Sequence, residues 1–136
     1  MRRVLVDTGP LVAIMSSADE HHEKCVETLH GLPGPLFSCW PVITEAAWLL
    51  RRDVRAVRQL LGSISEGFIE LLPIEGSEAA DIGKLMEKYK NIRPQLADAV
   101  LVYLAGRDAF DVIFTLDRRD FSVYGAERKH GFHIIP

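Results

Sequence analysis

The chain has 136 residues, enough for one domain (residues 1–136) and too few for two ordinary ones. With 48% hydrophobic and 26% charged residues it is an average globular composition, so composition says nothing of chemistry. A formal charge of −3 excludes a basic coat for nucleic acid, so any such contact must come from a local basic patch or through bound metal.

In chain order, the first strand signal is Val4-Leu5-Val6. Arg2 and Arg3 before it briefly imitate a secretory leader. Asp7 interrupts the apolar run, however, and Leu11–Met15 is too short for a leader core. The later apolar run, Ala99–Ala105, falls far below a membrane span, so a cytoplasmic location with no membrane partner is expected. Further strand signals are Leu36–Ser38, Phe68–Leu72, Val112–Thr115 and Phe132–Ile135.

Helical periodicity fills the intervals. Ile82, Leu85, Met86 and Tyr89 mark one buried helix face. Val42, Ala46, Leu49 and Leu50, then Val57, Leu60 and Leu61, give a similar stripe, and Leu96–Ala105 reads as a central, fully packed helix. Alternating strands and helices imply right-handed crossovers and a mostly parallel sheet with both faces covered. In open sheets of this kind ligands bind beyond the carboxyl ends of the strands, where strand order reverses.

The carboxylates stand out against that background. Asp7 ends the first strand and Asp117 follows the Val112–Thr115 strand by one residue, so both point to one sheet edge. Each is equally a turn or helix-cap residue on its own. Asp98 is the only charge between Gln95 and Arg107, and a lone Asp in apolar company is seldom buried unless paired or metal-bound. Its structural alternative is a first-turn acid after Pro94. Glu45 lies in another proline-started apolar helix. Carboxylates gathered this way repel by roughly 4 kcal/mol per pair at about 4 Å and an effective dielectric near 20. A hard cation relieves the repulsion, and an all-oxygen site suits Mg2+ or Mn2+ better than zinc.

Other features carry less. Arg51, Arg55 and Arg58 at i, i+4 and i+7 would share a helix face, with Arg52 beside them, which is ordinarily a solvated face and otherwise a grip for RNA phosphates. His21, His22 and Cys25 lack the further ligands of a zinc site. Cys25 and Cys39 read as reduced, partly buried thiols, and Trp40, Trp48 and Tyr103 as core or interface residues. A phosphotransferase with Asp7 as nucleophile wants a second acid where Gly9 stands, or one after the third strand, where Leu72-Pro73 stand.

The segments Val4–Leu11 around Asp7-Thr8, Glu45 in its helix, Leu96-Ala97-Asp98-Ala99 and Thr115–Phe121 resemble a PIN domain over essentially the whole chain. More narrowly they are similar to the VapC-type ribonuclease toxins of toxin–antitoxin pairs. The resemblance implies an α/β/α sandwich with a five-stranded sheet ordered 3-2-1-4-5. It implies Mg2+- or Mn2+-dependent hydrolysis of RNA that leaves a 5′-phosphate, with a homodimer and an antitoxin protein as partners. Position by position, Asp7, Glu45, Asp98 and Asp117 would be the catalytic and metal-holding acids, with Asp120 a candidate fifth. Thr8 and Thr115 would orient carboxylates or phosphate, and Arg118, Arg119, Arg51 and Arg55 are candidate substrate contacts. The competing expectation is a non-catalytic PIN module that binds RNA or protein.

Overall fold

The five apolar segments form five short strands in a computed structural model that describes residues 2–136. They are β1 (Val4–Val6), β2 (Leu36–Ser38), β3 (Ile69–Leu71), β4 (Val112–Phe114) and β5 (His133–Ile135). The sheet order is β3-β2-β1-β4-β5, and every pairing is parallel, one step beyond the mostly parallel expectation. Phe68, Leu72, Thr115 and Phe132 fall just outside the strands, although Leu72 and Thr115 still donate to Ser38 and Ile135 carbonyls at 2.9 Å.

Among the described residues seven α-helices connect them: α1 (Thr8–Met15), α2 (His22–His30), α3 (Trp40–Leu49), α4 (Val54–Ser65), α5 (Ala79–Lys88), α6 (Leu96–Arg107) and α7 (Arg118–Gly125). Among the described residues no helix is long and apolar enough to cross a membrane. β1 and β4 are buried at all three positions because helices cover both faces of the central pair. β5, at the sheet edge, keeps His133 exposed. Leu5, Leu11, Ile43, Leu101, Leu104, Ile113 and Phe114 form the centre of the core.

Several expectations need correction. α6 buries Ala97, Ala99, Val100, Leu101, Leu104 and Ala105, yet its first residue Leu96 is 55% exposed, so the helix is packed on one side and open at its start. The stripe from Val42 to Leu61 is divided between two helices. α3 stops at Leu49, and the Asp53 carboxylate accepts from the Arg55 and Ala56 amides to begin α4. Arg51 and Arg52 therefore sit in the intervening turn and share no helix face with Arg55 and Arg58. Leu49 and Leu61 face outward. Trp40 and Trp48 are 58% and 62% exposed, which takes both out of the core. Cys25 and Cys39 are free and fully buried, and burial pushes the Cys39 thiol up to about 11. They are inert core groups.

Candidate functional site

The order reversal lies between β1 and β4, whose crossovers leave toward opposite sides of the sheet. At their carboxyl ends the chain turns straight from strand into helix. Asp7 follows β1 and caps α1, its Oδ1 accepting from the Thr8 amide at 2.8 Å. Asp117 follows β4 by two residues and caps α7, its Oδ1 accepting from the Asp120 amide at 3.1 Å.

The two ends are tied through Thr115. Its hydroxyl donates to Asp7 Oδ2 at 2.8 Å and accepts from the Asp117 amide at 3.0 Å. Thr115 is fully buried and Asp7 nearly so, at 7% exposed. Gly9 lies against the β4–α7 turn, where a Cβ would stand 3.4 Å from Leu116 Cδ1, an ordinary contact.

α6 and α3 deliver the other two acids. Asp98 sits at the third position of α6 in a reciprocal cap: the Gln95 amide donates to Asp98 Oδ2 at 3.3 Å, and the Gln95 side chain accepts from the Asp98 amide. Glu45 lies half-buried midway along α3. Asp7, Glu45, Asp98 and Asp117 all line one open pocket of about 380 Å3, together with Thr8, Gly9, Gln95 and Leu116.

The electrostatics follow from the burial of like charges. Desolvation pushes the Asp7 carboxyl up to about 6, with Asp98 and Glu45 adding to the rise, while the Thr8 amide and Thr115 hydroxyl oppose it. Asp98 is raised by burial and then by Glu45, Asp117 and Asp120. Asp120 is raised by burial and by Asp117.

A divalent cation fits this donor set. The donors are oxygens, burial and the neighbouring acids disfavour the charged form of Asp7, and Thr8 Oγ1 is buried with no hydrogen-bond partner. Among the described residues no three carboxylates converge closely enough to hold a bare ion.

The remaining candidates are placed elsewhere. Asp120 adjoins Asp117 and does not line the pocket. Arg118 donates to the Ile134 carbonyl at 3.2 Å and to that of Pro136, which engages it with the sheet edge, and Arg119 is exposed. The Arg51 guanidinium lies 3.9 Å over the Trp48 ring. Arg55 and Arg58 line a separate groove of about 1130 Å3 beside α2. His22 Nδ1 is within 2.7 Å of the Ala13 carbonyl and Cys25 is in the core, so this trio forms no site. Gln95 escaped sequence reasoning. Its signal was the Gln-x-x-Asp spacing, a capping-box pattern with Gln and Asp in its two roles.

The PIN domain family model matches residues 4–127. Ribonuclease VapC26 of Mycobacterium tuberculosis (strain ATCC 25618 / H37Rv) is 30% identical over 135 residues, covering 98% of this chain and 100% of that protein. The crystal structure of Mycobacterium tuberculosis VapC20, described as a Sarcin-Ricin loop cleaving toxin, superposes with a TM-score of 0.82. That match is 13% identical and covers 98% of this chain and 99% of the other, a likeness of fold.

Proposed function

The chain belongs to the PIN domain family, and on that premise we propose that it is a metal-dependent endoribonuclease that hydrolyses RNA phosphodiesters as the toxin of a toxin–antitoxin pair. The observation that carries the reading is the gathering of Asp7, Glu45, Asp98 and Asp117 around one pocket at the strand-order switch. The similarity to Ribonuclease VapC26 over nearly the whole chain supports the substrate class.

Bound Mg2+ or Mn2+ would supply Lewis-acid stabilisation of charge on the phosphate and a lowered pKa for water. Asp7, Asp98 and Asp117 would hold the ion, directly or through its waters, and Glu45 would hold a water or a second ion. Thr115 would hold Asp7 and Asp117 together, its hydroxyl donating a hydrogen bond to the Asp7 carboxylate and accepting one from the Asp117 amide. Thr8, whose buried hydroxyl has no hydrogen-bond partner, would orient the carboxylates or a phosphate. In-line attack of water on phosphorus, with the bond to the 3′ oxygen breaking, would leave a 5′-phosphate and a 3′-hydroxyl. Arg119 and Arg118 are the nearer candidate phosphate contacts, and Arg51 and Arg55 the more remote.

An antitoxin protein and a cytoplasmic setting belong to the same reading, as does a homodimer. The exposed Trp40 and Leu96 flank an apolar groove of about 480 Å3 between α3, α5 and α6 that a second copy would cover. Light scattering at micromolar concentration tests this, and a monomer refutes it.

Cleavage of a structured-RNA panel with Mn2+, Mg2+ or EDTA, for wild type and Asp7→Asn together, tests the activity. The expected result is cleavage that needs both the metal and Asp7, in a variant that keeps its fold. Cleavage by Asp7→Asn, or in EDTA, overturns the assignment.

A further inference from the structure

Tyr124 on α7 is 2% exposed, and its hydroxyl has no hydrogen-bond partner. Buried polar groups are nearly always paired, so an orphan one asks for a reason. Packing does not supply it. The ring stands edge-on to Tyr89 and Phe121, with centroids 5.1 and 5.2 Å away, and a phenylalanine would fill that place equally well. The oxygen is extra.

The helix shows what the oxygen faces. Asp117 caps α7, and Asp120 and Tyr124 follow at i+3 and i+7, so the three share one face. Helical side chains lean toward the N-terminus, so the phenol reaches back along that face toward the acids. Burial first, and then the Asp98, Asp120, Asp117 and Asp7 carboxylates, raise the phenol, so it stays protonated. It is a permanent donor beside a site made of acceptors. Asp98, first among those charges, has one carboxylate oxygen fixed by the Gln95 amide and the other free.

We propose that Tyr124 is a positioning residue of the acid pocket, its O–H donating through one bridging water to the carboxylate oxygen of Asp98 that the Gln95 cap leaves free. The proposal rests on the metal-nuclease reading. Donors behind a metal-holding carboxylate set its orientation, and their loss characteristically weakens metal affinity about 10- to 100-fold.

Tyr124→Phe tests it, because the change removes one oxygen and keeps the ring. Mn2+ affinity by isothermal titration calorimetry should fall about tenfold. RNA-cleavage kcat should fall with KM unchanged, and the metal-free melting temperature should hold or rise. The Mn2+ effect should vanish in an Asp98→Ala background. Unchanged Mn2+ affinity overturns the proposal, as does a tenfold loss that persists without Asp98. A lower metal-free melting temperature also overturns it, since the hydroxyl would then be holding the fold. Wild type that binds no Mn2+ overturns the nuclease reading itself, and this proposal with it.

Discussion

Two clusters of charge in this molecule are built on opposite rules. In the acid pocket, Asp7, Glu45, Asp98 and Asp117 face one another, and the pocket lining includes no cation. At the start of α5 and end of α6, Arg107 grips Asp108 through Nε and Nη2 at 3.1 and 2.8 Å, and Nη1 reaches Glu78 at 3.0 Å and the Pro73 carbonyl at 2.8 Å. The same residue types respond in opposite directions. Burial and like charge raise the Asp7 and Asp98 carboxyls. The Glu75 amide and then Arg107 lower Glu78, and the Arg107 guanidinium lowers Asp108. The Arg107 cluster is complete as it stands and ties helices together. The acid pocket has no such counter-charge in its lining, the imbalance expected of a site that takes a cation.

The comparison breaks first at the chemistry. Glu45→Gln should lower kcat about 100-fold or more, whereas Arg107→Ala should leave the rate per folded molecule unchanged. Equal losses in single-turnover cleavage would erase the distinction between the clusters.

Stability against pH sharpens it next. Asp7 is raised from 3.8 to about 6, so the native state binds its proton more tightly than the unfolded chain does. The stability this contributes is fully present below pH 3.8 and is lost as pH rises through about 6. Two units correspond to about 3 kcal/mol, lost on going to pH 7 without metal. Asp98, also raised, adds in the same sense. The lowered Asp108 runs the other way: its stability is present above the ordinary carboxylate range and is lost as pH falls through its own depressed value. Metal-free melting temperature should therefore peak in mildly acidic buffer, and saturating Mn2+ should lift the neutral side more than the acid side. A metal-induced shift equal at pH 5 and pH 7.5 would contradict this.

Smaller effects follow. Asp7→Asn keeps a cap oxygen for the Thr8 amide and removes the buried charge, at the cost of one hydrogen bond to Thr115. It should stabilise the metal-free protein by about 1–2 kcal/mol at pH 7 and by nothing near pH 4, as read from urea unfolding at both. Arg107→Ala is smallest, because Glu78 and Asp108 keep partial access to water, which can take over the lost contacts. Its melting temperature should drop by less than about 4 °C, and by less in high salt.

Much of the fold was legible because strands buried on both faces spell themselves as short apolar runs. Val4–Val6 and Val112–Phe114 are such runs, and their adjacency follows from the sheet order the resemblance implied. The acids were legible for a related reason, since a lone carboxylate in an apolar stretch needs an explanation. The sequence could not show that cap and site are one role: Asp7, Asp98 and Asp117 each bond a backbone amide at a helix start and also face the pocket. The arginine pattern misled because i, i+4, i+7 spacing is blind to a break, and Asp53 begins a new helix inside it. Trp40 and Trp48 stayed open between core and interface, because bulk and hydrophobicity say nothing of which way a helix turns them, and their exposure removes only the core alternative. Gln95 and Tyr124 carry no charge, and only their hydrogen bonding, or its lack, draws attention.

The double duty of the capping acids has a consequence for how such a domain decays. A gene copy released from selection for cleavage still has to fold, and Asp7 and Asp117 each start a helix. Asparagine caps a helix as well as aspartate does and carries no charge, so it is the exit with the least damage. Silent descendants of this chain should carry asparagine at these two places before any other residue, a scar that dates the loss of activity ahead of the loss of structure.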